Sequence, residues 1–168
     1  MSDLAPISPV MNERRARATF YGTAFHKVSG RNQVAIPRQH KRAIDEAHED
    51  QLLLVRWKTE AFLRLYTKSQ FDQKLDEVKQ NSSLTVEQRV AVVEMIARNA
   101  EPVEPDSQGR FVLPGKWVDA LNIREEVAFC GVHTYIKVWP AEAQRASEKT
   151  EMENVNAAVE QVTQTLNF

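Results

Sequence analysis

Two segments of this chain repeat each other, and the repeat limits the possible folds more than any other feature. Ser29-Gly30-Arg31-Asn32-Gln33-Val34-Ala35-Ile36-Pro37 aligns with Asp106-Ser107-Gln108-Gly109-Arg110-Phe111-Val112-Leu113-Pro114, 77 positions further on. Each reads as a small polar turn-former, a turn, a long polar residue, an apolar strand, then proline and a helix. Further along, Phe62-Leu63-Arg64-Leu65-Tyr66 matches Tyr135-Ile136-Lys137-Val138-Trp139 as aromatic, aliphatic, basic, aliphatic, aromatic. Both halves run strand, turn, strand, helix, hairpin. A unit of about 50 residues with four short strands and one helix cannot bury an adequate core alone. The halves are therefore expected to interlock into one pseudo-symmetric, β-rich α+β domain.

The local signals fill in that outline. Thr19–Val28 is aromatic and β-branched and reads as strand, followed by turn chemistry at 29–32 and a short strand at 34–36. Pro37 suits the first turn of a helix running to about Ala47. Leu52–Trp57 and Phe62–Tyr66 form a hairpin across Lys58-Thr59-Glu60-Ala61. Two helices follow, with capping-box signals at Ser69/Asp72 and Thr85/Gln88. Strands are expected again at 101–104, 110–113, 127–132 and 135–139, with a helix at 114–121. The organisation is thus a basic arm at 1–18, expected to be disordered, halves at 19–67 and 99–142, linking helices at 68–98, and a helical or mobile tail at 143–168. Met11 is an alternative start to Met1. In the tail Val155, Ala158, Val159, Val162 and Leu166 form an apolar stripe, available to dock on the body or to pair with another subunit.

The formal net charge of −1 conceals a polar distribution of charge. From Arg14 to Ile44 there is no Asp or Glu, and eight cations: Arg14, Arg15, Arg17, Lys27, Arg31, Arg38, Lys41 and Arg42. The rest of the chain therefore carries −9. Such asymmetry suits a polyanionic partner for one face, nucleic acid being the commonest; the alternative is a solvated basic face balanced by Asp45, Glu46, Glu49 and Asp50.

Several function classes are disfavoured. A lone cysteine, Cys130, excludes a disulfide framework and multi-cysteine metal sites, and its place in an alternating strand marks it as a buried hydrophobe. Of four histidines, only His40 and His48 share the expected helix, two turns apart, too far for joint metal ligation. Five glycines leave no phosphate cradle. No nucleophile–base or paired-carboxylate arrangement stands out, so catalysis, a cofactor, a metal site and a small-molecule substrate are not expected. No apolar run reaches the roughly 18 residues of a membrane helix, and no secretory leader is visible; a cytoplasmic location is expected. Trp117, Trp139, Phe62 and Tyr66 have the spacing of core residues rather than of base-stacking platforms.

The repeated turn has its own logic. Asp106 is placed to bond the amides of its turn, Gly109 supplies a positive φ, and Arg110 opens the following strand at the rim. Ser29 and Asn32 take the first two places in the other copy, with Arg31 and Gln33 as its long polar groups. Phe20-x-Gly22, His26, the two turn motifs each closing in apolar-x-apolar-Pro, and the hairpins resemble the MraZ family of bacterial transcriptional regulators, built from two SpoVT-AbrB-type halves. The likeness covers residues 20 to about 145. It implies a double-split, swapped-hairpin β-barrel assembled into a ring-like homo-oligomer. It also implies binding to tandem direct repeats in double-stranded DNA upstream of the cell-division and cell-wall gene cluster, most simply as a nucleoid-associated repressor. The family pattern, Asp-x-Lys-Gly-Arg, falls on Arg31 and Gln33 in the first copy and on Gln108 and Arg110 in the second, so each copy keeps one of its two basic residues. These four are the expected DNA-binding residues; Lys27, Arg38, Lys41, Arg42 and the arm's Arg14, Arg15 and Arg17 are expected to add phosphate contacts. An AbrB-like antitoxin and an assembly protein that does not bind DNA are the alternatives.

Overall fold

The fold is taken from a computed structural model that describes residues 17–57 and 59–166. In the first half, β1 (Thr23–Lys27) and β2 (Gln33–Ala35) lead into α1 (Arg38–Glu46), then β3 (Leu52–Arg56) and β4 (Leu63–Thr67). Two helices intervene, α2 (Lys68–Lys79) and α3 (Val86–Arg98). The second half repeats the order with β5 (Ala100–Val103), β6 (Arg110–Val112), α4 (Gly115–Ala120), β7 (Glu126–Gly131) and β8 (Ile136–Pro140), before α5 (Ala141–Leu166).

The halves do interlock, through the strands themselves. The main sheet runs β1-β7-β8-β4-β3-β5 and is antiparallel throughout, while β2 and β6 form a separate two-stranded ribbon. Apart from the hairpins β3–β4 and β7–β8, every pairing joins one half to the other. Exchanging equivalent strands of the two halves reads the sheet order backwards unchanged, which is the signature of a pseudo-two-fold axis. The register locates that axis. It passes through the pair Val34↔Phe111 in the ribbon and the pair Arg64↔Lys137 in the sheet. β1 and β5 are the sheet's two edges, so hydrogen bonding leaves the sheet and ribbon open where the resemblance implies a closed barrel.

Burial explains why the strands pair in this register. On one face of the sheet, Leu52, Leu54, Leu63, Leu65, Val127, Phe129, Ile136 and Val138 are each 0–1% exposed and meet Val34 and Phe111 from the ribbon and Ile44, Trp117 and Val118 from α1 and α4. A one-residue slip of any strand would carry this row to the opposite face. That opposite face is covered over β3 and β4 by α2 and α3, through Phe71 and Ile96 against Val55 and Tyr66. Over β7 and β8 the first turn of α5 covers Ala128, Cys130 and Trp139. There Gln144 is buried and accepts from both the Trp139 indole N–H (2.7 Å) and the Cys130 thiol (3.0 Å). Burial also pushes the Cys130 thiol pKa up, consistent with a packed rather than a reactive cysteine. Trp117, Trp139 and Tyr66 are buried and Phe62 half-buried, so the aromatics pack as their spacing implied.

Four expectations need correction. The first strand is shorter than 19–28: only Thr23–Lys27 pairs continuously, and Phe20 makes an isolated bridge to His133. Gly131 permits that bridge, because a Cβ there would collide with the Tyr21 backbone. The cap of α2 is Thr67, whose hydroxyl accepts from the Gln70 amide, while Ser69 bonds Glu49 and Asp72 pairs with Lys68; Thr85/Gln88 of α3 is the expected capping box. His48 lies beyond the end of α1, at φ 55°, so it does not share that helix with His40. Finally, the apolar stripe of α5 does not dock on the body: every described residue after Ser147 is exposed. Among the described residues no helix is long and apolar enough to cross a membrane.

Candidate nucleic-acid interface

The repeated turns are equivalent bond for bond. In the first, Ser29 N–H donates to Gln33 O (2.9 Å) and Asn32 N–H to Ser29 O (3.0 Å); in the second, Asp106 N–H donates to Arg110 O (2.9 Å) and Gly109 N–H to Asp106 O (2.9 Å). The chain reverses at Asn32 (φ 58°) and Gly109 (φ 77°), the left-handed positions that Asn and Gly accept most readily. Each turn then reaches across to the other half. The Ile36 N–H donates to Gly109 O and the Leu113 N–H to Asn32 O, both at 2.9 Å. The two turns therefore clamp opposite ends of one ribbon.

The side chain heading each turn differs, and its partner differs with it. Asp106 accepts from the amides of Gln108 and Arg110 (both 2.9 Å) and, through its second oxygen, from Arg110 Nε (2.7 Å). These bonds from Arg110, backbone first and then side chain, hold the Asp106 carboxyl below its ordinary pKa. Because Asp106 engages Nε, the terminal guanidinium nitrogens of the exposed Arg110 stay free for a bidentate acceptor. Ser29 keeps the backbone bond, its hydroxyl accepting from the Gln33 amide at 3.1 Å. It has no second oxygen to orient a guanidinium, and Gln33 is not one. The Asp/Arg and Ser/Gln pairs are thus two internally consistent versions of one turn.

The ribbon joins what the sequence separates by 77 positions. Val34 and Phe111 point into the core, and the alternation of the strands turns Gln33, Ala35, Arg110 and Val112 outward. Gln33 lies opposite Val112, and Ala35 opposite Arg110. Arg31 and Gln108 are exposed within the turns at the ribbon's two ends.

The supporting cations are less evenly placed than the backbone. α1 carries Arg38, Lys41 and Arg42, whereas the equivalent places on α4 hold Gly115, Val118 and Asp119. The second turn leans on α1, close enough that a Cβ at Gly109 would lie 3.0 Å from Lys41 Cδ. Lys41 and Arg42 are paired with Asp45 (2.7 Å) and Glu46 (3.0 Å), so their charge is partly offset within α1. Lys27, Arg31 and Arg38 have no ion pair among the described residues. Arg17 is bonded to Gln73 of α2 rather than to either turn, and Arg14 and Arg15 lie outside the described residues. One further cation, Arg124, lines a surface cleft of about 690 Å³ with Lys27, Ser29, Gly30 and Asn32. It sits outside the acid-free stretch and beside Glu125 and Glu126, so no charge run marks it.

The fold and site define an internally duplicated α+β protein whose halves exchange strands and present one polar, partly cationic ribbon. The family described as "MraZ protein, putative antitoxin-like" matches residues 96–165. The transcriptional regulator MraZ of Bacteroides thetaiotaomicron is 25% identical over 145 residues, covering 85% of this chain and 91% of that one. Its counterpart in Bacteroides fragilis is 26% identical over 145 residues (85% and 90%), and that of Mycobacterium leprae 24% over 139 residues (83% and 93%). These matches make the chain similar to MraZ proteins over most of its length and support an MraZ family protein.

Proposed function

We propose that this protein is a transcriptional regulator that binds double-stranded DNA through the β2–β6 ribbon and its two turns. The observation that carries the reading is the pairing of β2 with β6, which sets both copies of the repeated turn on a single exposed ribbon. A two-stranded ribbon fits the major groove, where arginine reads guanine and glutamine reads adenine. The names of the relatives support the regulator class. On this reading the sheet and the ribbon are the two walls of a double-split barrel. Arg31, Gln33, Gln108 and Arg110 contact base edges or adjacent phosphates, and Lys27, Arg38 and Lys41 contact phosphates. One subunit offers few such contacts, so affinity arises from several subunits of a ring engaging tandem direct repeats together, as a repressor of the division and cell-wall cluster.

The test is fluorescence anisotropy with the duplex upstream of the protein's own gene and a scrambled duplex, across a salt series. Arg110→Ala should weaken binding to the upstream duplex by about 1–3 kcal/mol and to the scrambled duplex by less. Equal weakening on both duplexes would make Arg110 a phosphate contact. Absence of salt-dependent binding would overturn the reading in favour of an assembly protein, and a toxin copurifying through residues 150–168 would favour the antitoxin.

A further inference from the structure

Resting on the ribbon as the DNA-reading element, we infer that Val112 is a specificity residue that recognises the 5-methyl group of thymine. Together with Gln33 it would form an A·T-reading pair, and Arg110 with Ala35 a G·C-reading pair. The argument begins with the register. Gln33 and Val112 are directly opposed, as are Ala35 and Arg110, and all four sit on the face away from the core. Directly opposed residues have Cβ atoms about 4.5–5.5 Å apart, so each pair acts on one locus of a bound surface. Val112 is 55% exposed although its strand neighbour Phe111 is 4% exposed; a branched apolar side chain stands in solvent on the outward face of the ribbon, beside Gln33 at one end.

Base chemistry explains the company each residue keeps. An amide that takes the N6 and N7 of adenine sits on a base pair whose other member, thymine, carries a methyl group in the same groove. The residue opposite Gln33 is a valine able to cover it. A guanidinium that takes the O6 and N7 of guanine sits on a base pair whose other member, cytosine, has no methyl. The residue opposite Arg110 is an alanine, which offers less apolar reach. The two pairs are related by the pseudo-two-fold axis, so one turn frame holds both: Ser29 with Gln33, Asp106 with Arg110. The substitutions that distinguish the two copies thus appear on both strands of the ribbon at once, and each combination suits one base pair.

The experiment uses the full-length protein and a duplex selected by it from a randomised pool. Each thymine of that duplex is replaced in turn by deoxyuridine, which deletes the methyl and nothing else. The wild-type protein should lose affinity about fourfold at one thymine per bound site, the value for one methyl-sized group buried from water. Val112→Ala should bind the thymine duplex about fourfold more weakly and should no longer distinguish thymine from deoxyuridine there; Val112→Ile should retain the distinction. Because Val112 is exposed, the variants should fold like the wild type, which circular dichroism checks. A wild-type protein that binds tightly yet accepts every deoxyuridine equally would overturn the methyl contact and leave the DNA-reading ribbon intact. So would a Val112→Ala protein that discriminates as well as the wild type. Failure to select any duplex, with no salt-dependent binding, would overturn both readings.

Discussion

Phe111 tests whether the ribbon belongs to the cooperative core or is an appendage to it. It is 4% exposed, lies opposite Val34 on the pseudo-two-fold axis, and packs in the same cluster as Leu113 and Trp117. A buried phenylalanine removes about 150–250 Å² from water. At about 25 cal/mol per Å² this corresponds to roughly 4–6 kcal/mol, of which an alanine methyl retains somewhat under 1 kcal/mol. Phe111→Ala should therefore cost about 3–5 kcal/mol, within the range for large-to-small core substitutions. For a chain of this length that is a fall in Tm of about 6–20 °C. Denaturant unfolding followed by tryptophan fluorescence, at fixed protein concentration, should show the midpoint moving with the slope unchanged. The amides of Ile36 and Leu113, which donate across the ribbon's ends, should exchange with solvent in step with global unfolding. The strand-exchanged core would be refuted if the variant lost less than about 1 kcal/mol. It would be refuted equally if those two amides opened while the main transition stayed in place, since the ribbon would then fray on its own.

Other parts of the structure make separate predictions. Gln144→Ala should cost about 1–3 kcal/mol, because the buried Trp139 N–H loses its acceptor; a change within experimental error in chemical denaturation would contradict the assigned bond. Gly131→Ala should lower the yield of folded protein sharply, since its Cβ would meet the Tyr21 backbone, whereas Gly30→Ala, with open space around it, should be neutral; thermal melts of both variants decide this. Asp106 has its pKa depressed in the folded state, so it stabilises the fold above the ordinary carboxylate pKa and that contribution is lost as pH falls through the lower folded value. Asp106→Asn should accordingly flatten the acid limb of a stability–pH profile, and an unchanged limb would show that the Arg110 pairing is not formed in solution. The Cys130 thiol, its pKa raised by burial, should react with thiol reagents at neutral pH only as fast as the protein unfolds.

What the sequence determined by itself was local. The turn residues announce their conformations: Asn32 and Gly109 are the residues that tolerate positive φ, and both adopt it. Thr85 and Gln88 announce a helix start through a bond between near neighbours. The duplication itself is visible because both halves must satisfy the same backbone frame. The cap of α2 is not legible locally, because Thr67 and Ser69 offer the same hydroxyl two positions apart, and where β4 ends decides for Thr67. Tertiary structure decided which strands meet. The alternation of β2 or β6 is compatible with pairing inside its own half or across to the other, since backbone hydrogen bonds carry no label of the strand they join. Burial favours the crossed arrangement, in which Val34 and Phe111 close together over the leucine row of the sheet. That choice places Gln33 opposite Val112 and Arg110 opposite Ala35, neighbours that residues 79 and 75 positions apart become through packing alone.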